Sequence, residues 1–182
     1  MKLESVLAKK HSAIVKKWFD HVVDTYPADT SRFLKSQKDP FANPVGSTTR
    51  DGLSALFADL SGNLDPEAAA GHLDPIIRIR AVQSFTPAQA TGFVFSLKRI
   101  VRDHLSDAAG DSELQSGLVA FDARVDQLGL IAFDIYVQCR EKIFRIQATE
   151  QRNRFFKAFH RAGLITDVDE DDPNPGRSDL TQ

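Results

Sequence analysis

The chain has 182 residues, 42% hydrophobic and 26% charged, with a formal charge of −2. That length fits one domain of ordinary size, which buries roughly 70% of the surface its unfolded chain exposes and so supports its own core. The near-neutral balance argues against a dedicated nucleic-acid or anionic-membrane binder, and the single cysteine, Cys139, excludes an intramolecular disulfide or paired-thiol site. The apolar stretch 128–133 stops at Asp134, far short of the ~20 residues a bilayer span needs. Lys2, Glu4 and Lys9-Lys10 interrupt the N-terminus, so no signal peptide is expected. These features predict a cytoplasmic protein without membrane insertion.

The spacing predicts helices throughout. Leu3, Leu7, Ile14, Trp18 and Val22 recur at intervals of four or seven, widened by Phe19, Val23 and Tyr26, and Pro27 ends the run. A short helix is expected over 31–37, then an irregular segment over 39–46. The next helix is expected from 47 to about 60, with Leu53, Leu56, Phe57 and Leu60 on one face. Asp65-Pro66-Glu67 opens another, with an N-cap, a first-turn proline and an acid at the positive dipole end. Thr86-Pro87-Ala88-Gln89 reads as a capping box starting a helix that carries Phe93, Val94, Leu97, Ile100, Val101 and Leu105. Strand-like alternation is absent, which points to an all-α bundle.

The last helix is expected from 112 to about 148, roughly 55 Å at 1.5 Å per residue. Leu118, Phe121, Val125, Leu128, Ala132, Ile135, Cys139, Lys142 and Ile146 advance by alternating threes and fours, the heptad spacing of a seam that faces a partner helix. Ile131, Phe133, Tyr136, Val137, Ile143 and Phe144 add apolar surface beside it. So extended a stripe predicts a homodimer, with Leu118, Phe121, Val125, Leu128, Ala132, Ile135, Cys139 and Ile146 at its interface.

Residues 166–182 hold six acids against one arginine, a net of −5 that leaves +3 on the rest of the chain. With Pro173, Pro175 and Gly176 among them they predict a disordered acidic tail behind a single helical domain over 1–165. The basic run Arg140, Lys142, Arg145, Arg152, Arg154, Lys157 and Arg161 reads as a solvated face rather than a nucleic-acid patch.

No catalytic signature is present: no phosphate-binding glycine loop, no H-E-x-x-H and no G-x-S-x-G. The five histidines show no i, i+3 or i, i+4 pairing, so no metal site and no catalytic residues are predicted. His72, mid-chain on a helix, is the one candidate for an axial haem ligand. The segment 39–46 presents Phe41 and Asn43 ahead of Ser47-Thr48-Thr49-Arg50, a helix start that would suit an anion, or a rigid loop whose Phe41 plugs the core. Arg78 and Arg80 cannot share a helix face; the expectation is two arginines snorkelling to solvent, with one turned inward toward a carboxylate or ligand as the alternative.

Three strings together resemble a known family: Asp39-Pro40-Phe41-Ala42-Asn43-Pro44-Val45-Gly46, then Ile79-Arg80-Ala81-Val82-Gln83-Ser84-Phe85-Thr86-Pro87-Ala88-Gln89-Ala90, then Phe93-Val94-Phe95-Ser96-Leu97-Lys98. With Trp18 and Tyr26-Pro27 they are similar to the N-terminal domain of RsbT co-antagonist (RsbRD-type) proteins, over roughly residues 5 to 148. The resemblance implies a dimeric, globin-like helical fold without haem, used as a sensory input module. In that family a long final helix leads to a STAS output domain that carries phosphorylatable threonines and binds a switch kinase. About 34 residues follow Ala148, too few for a STAS domain, so no phosphosite carries over. Stand-alone versions point to a respiratory or redox context.

The expected function is therefore a non-catalytic regulatory or sensory module of the stressosome input type, with no cofactor. It would act through an unidentified protein partner of a signalling or respiratory system, or through a small ligand, with Trp18, Phe41, Asn43, Arg80, Gln83 and Phe85 as ligand or packing candidates. The alternative is a haem- or small-molecule-binding globin-like sensor using His72.

Overall fold

A computed structural model describes residues 2–83, 85–105 and 111–164. All regular structure among the described residues is helical: α1 (Leu3–Val23), α2 (Ala28–Ser36), α3 (Pro44–Ser61), α4 (Pro66–Val82), α5 (Pro87–Thr91), α6 (Phe93–His104) and α7 (Ser112–Arg161). The all-α expectation and the long final helix hold. No helix among the described residues is long and apolar enough to cross a membrane. The acidic stretch 166–182 lies outside the described residues.

Local chemistry explains where the boundaries moved. α3 begins at Pro44 rather than 47, because Asn43 caps it: its Oδ1 accepts from the Gly46 N–H at 2.8 Å, and Pro44 has no N–H to leave unpaired. The helix expected from 86 onward is two. α5 carries the full Thr86–Gln89 capping box, and the chain turns into α6 at Gly92, where an added Cβ would stand 2.5 Å from the Ala88 carbonyl oxygen. α4 starts as anticipated, with the Asp65 carboxylate accepting from Glu67 N–H at 3.1 Å. The Asp111 carboxylate does the same for α7, accepting from the Glu113 and Leu114 N–H groups at 2.9 and 3.2 Å.

The chain divides into two units, Met1–Ile143 and Phe144–Gln182. In the first, α1 packs on α2, α3 and α6, and α3 packs on α4. Trp18, Phe57 and Phe121 are among its largest fully buried side chains. The 112–143 part of α7 closes this core. Gly117 lies so close to Leu3 that a Cβ there would come within 2.8 Å of it, Phe121 meets Phe57 edge-on at 6.5 Å, and Arg124 Nε donates to the Leu60 carbonyl at 2.8 Å.

This packing covers most of the expected dimer seam within its own chain. Leu118, Phe121, Val125, Leu128, Ala132, Ile135 and Cys139 are all 9% exposed or less within their own chain. The three-four spacing that would zip two copies together is filled by neighbouring helices of the same bundle. What remains uncovered on this part of α7 is the opposite face: Val119 is 72% exposed, Leu130 68% and Phe133 48%.

The second unit carries the end of α7, which runs 13 residues past the expected stop at 148. Every described residue of 144–164 is exposed, Ile146 of the expected seam included. Phe144, Phe155, Phe156 and Phe159 are among them, the Phe156 ring stacking on His160 at 6.5 Å. Gly163, at φ +69°, ends the helix in the left-handed conformation, and the Leu164 N–H returns to the Phe159 carbonyl at 3.0 Å.

Candidate functional site

The C-terminal turn of α4 delivers a charge into the core. Arg80 and Arg78 are two apart and face different ways. Arg78 pairs with Asp74 on the surface at 2.6 Å, whereas Arg80 is 1% exposed. Arg80 thus departs from the expectation of two snorkelling arginines and takes the inward alternative, with no described carboxylate as its partner.

Three rings surround its guanidinium. The central carbon lies 4.2 Å from the Phe85 ring centre and 5.5 Å from those of Tyr26 and Phe93. The negative faces of such rings compensate part of the lost hydration. Nη2 donates to Thr25 Oγ1 at 2.9 Å and to the Gln89 carbonyl at 2.8 Å, and the Tyr26 phenol also interacts with the guanidinium as an acceptor. Nε and Nη1 have no hydrogen-bond partner, and no described carboxylate pairs with Arg80. Burial pushes the guanidinium down from its ordinary value while the Tyr26 phenol pulls it back up. Burial likewise raises the phenol, with Arg80 opposing. An unpaired buried cation is the costliest kind of polar group a fold retains.

Tyr26 and Phe85 of this cage also line a solvent-open groove of about 490 Å³, together with Pro27, Thr30, Gln83 and Gln89. Tyr26 and Phe85, edge to face at 5.1 Å, stand between that groove and the guanidinium. Gln83 contributes a second unpaired buried atom, its Oε1. The volume falls within the range of small-molecule pockets.

The same corner is fastened to α7. Tyr136 Oη donates to the Phe85 carbonyl at 2.9 Å, and Arg140 Nη1 donates to the Ala81 carbonyl at 3.1 Å. Trp18 supports the corner from α1, its Nε1 donating to the Phe93 carbonyl at 2.9 Å with the two rings 6.2 Å apart.

Four of the candidates from sequence therefore belong together: Trp18, Arg80, Gln83 and Phe85. Phe41 and Asn43 do not join them. Phe41 is 97% exposed and plugs nothing, because the tight turn from Asp39, whose carboxylate accepts the Phe41 N–H at 3.0 Å, carries its ring outward. Asn43 is buried as a structural knot: beside its cap, Nδ2 donates to the carbonyls of Leu34 at 3.1 Å and Gln37 at 2.9 Å. The anion-like helix start is thus filled by Asn43, and Arg50 lies over the Phe19 ring at 4.5 Å.

His72 sits between α3 and α4 with Nδ1 3.0 Å from the Asp59 carboxylate and its side chain 42% exposed. Among the described residues no cluster of histidine, cysteine and acids could hold a metal ion. Sequence reasoning missed Thr25, Tyr26, Gln89 and Phe93 as parts of the cage, and Tyr136 and Arg140 as its anchors. The available hint was Tyr26 directly before Pro27, where a helix end brings the ring to a corner.

A family model described as the RsbT co-antagonist protein rsbRD N-terminal domain matches residues 12–151. No curated protein and no solved structure matches the chain.

Proposed function

Because this chain belongs to the RsbT co-antagonist protein rsbRD N-terminal domain family, we propose that it is a cytoplasmic, non-catalytic input module of the stressosome type, dimeric and globin-like. It passes the state of the Arg80 corner to α7 and on to a protein partner of a signalling or respiratory system. The observation that carries this reading is the pair of hydrogen bonds from Tyr136 and Arg140 to the Phe85 and Ala81 carbonyls. They tie the corner to α7, the mechanical link that a relay requires. His72, turned to Asp59 and half-exposed, lends no support to a haem-based alternative.

The reading also relocates the contact between copies. With the heptad seam occupied inside the bundle, the second copy docks on the outer face of α7, where Val119, Leu130 and Phe133 recur at helical spacing. Exposed apolar side chains on one helix face offer a second copy a surface to cover. Light scattering of the full chain tests this. The wild type is expected at the mass of two chains and a Leu130→Glu/Phe133→Glu variant at the mass of one; a wild type at the mass of one chain overturns the dimer.

A further inference from the structure

We propose that the groove beside Arg80 is a binding site for a small organic carboxylate, whose charge Arg80 receives once the Tyr26 and Phe85 rings part. As the signal of the module this rests on the input-domain reading, while the site itself stands on the geometry alone.

Arg80 has five N–H donors in a planar fork, and the two on Nη2 are used. The idle donors, Nε and Nη1, point to different sides of the guanidinium, so each can give a single charge-assisted hydrogen bond to an anionic oxygen. A fold that needed the side chain only for packing would be served better by an apolar residue of similar volume. The absent partner is thus an anion, since a cation meets repulsion and a neutral group leaves the charge uncompensated.

The second unpaired atom narrows the class. Gln83 Oε1 is buried without a donor and Gln83 lines the groove. With Thr30 it can address a hydroxyl or amide on the body of the ligand, while Pro27, Tyr26 and Phe85 supply apolar walls. Among the described side chains that line this groove no carboxylate opposes an anion.

Ligand entry has a defined consequence. Phe85 is both the closest ring to Arg80 and the residue whose carbonyl accepts from Tyr136. Displacing its ring to admit a carboxylate therefore acts on the residue whose backbone α7 holds. Arg80 gains a charge partner only in the bound state, which provides the differential affinity that a ligand-driven shift demands.

The test uses the full-length chain titrated with sodium acetate, lactate, benzoate and inorganic phosphate at constant ionic strength, with benzamide as the neutral match for benzoate. Calorimetry reads binding, and the fluorescence of Trp18, the only tryptophan, reads the corner. Saturable binding of at least one carboxylate is expected, with benzamide failing to compete. Arg80→Met is expected to weaken that binding by roughly tenfold or more. Arg80→Lys, which keeps the charge but loses the separately placed Nε and Nη1 donors, provides a second reading with a loss of roughly severalfold. Four results overturn the site: no saturable binding of any probe, binding of phosphate alone, equal competition by benzamide, or unchanged affinity in both Arg80 variants. Binding with unaltered amide exchange in α7 keeps the site and removes its role as the signal. A monomeric chain that still binds removes the proposed dimer instead.

Discussion

The Tyr136 hydroxyl, midway along α7, donates to the Phe85 carbonyl at 2.9 Å and so joins two residues 51 positions apart. Tyr136 is buried, and the carbonyl it satisfies belongs to the connection between α4 and α5. Tyr136→Phe keeps the ring and removes only the donor. The variant is expected to lose about 1–2 kcal/mol, the cost of a buried acceptor left unpaired, visible as a lower urea midpoint at unchanged slope.

Asn43 and Phe41 are two residues apart and opposite in consequence. Asn43→Ala removes three hydrogen bonds, two of them to buried partners, and with them the cap of α3. A loss of about 2–4 kcal/mol is expected in chemical denaturation. Phe41→Ser takes away a side chain that is already in water, and its midpoint should stay within about 0.5 kcal/mol of the wild type.

Asp24 supplies a pH dependence with a definite sign. A hydrogen bond from the Lys35 ammonium, at 2.6 Å, and one from Ser31 hold its carboxyl below the usual carboxylate value, against a small opposing effect of burial. A depressed carboxylate contributes stability above its unfolded pKa and loses it as pH falls through the folded one. Because the group is largely exposed the contribution is small. Urea midpoints should therefore fall less steeply for Asp24→Asn than for the wild type between about pH 5 and pH 2.

Much of this fold was legible in the sequence because its signals are local. Asp65-Pro66 and Thr86-Pro87-Ala88-Gln89 each contain their whole cap within four residues, and each starts a helix where expected. Helical geometry sets Arg78 and Arg80 on different faces, and only the tertiary fold decides that Arg80 is the one buried. The cage was not legible either, since Tyr26, Phe85 and Phe93 come from separate segments and only the tertiary fold brings them to one cation. The α7 seam is ambiguous for a related reason. A three-four spacing states that a helix is covered on one face, and says nothing of whether its cover comes from the same chain or another.

The coupling of the Arg80 corner to α7 is tested most directly by amide hydrogen exchange in Phe85→Ala, with the α3 amides 53–60 as the internal reference. Loss of that ring removes the nearest wall of the Arg80 cage and its contact with Tyr26, loosening the backbone that Tyr136 and Arg140 hold. Exchange is expected to quicken in 81–90 and in 132–140 of α7, while 53–60 and 114–125 keep wild-type protection. Quickening confined to 81–90, with 132–140 unchanged, would contradict a corner that reports through α7.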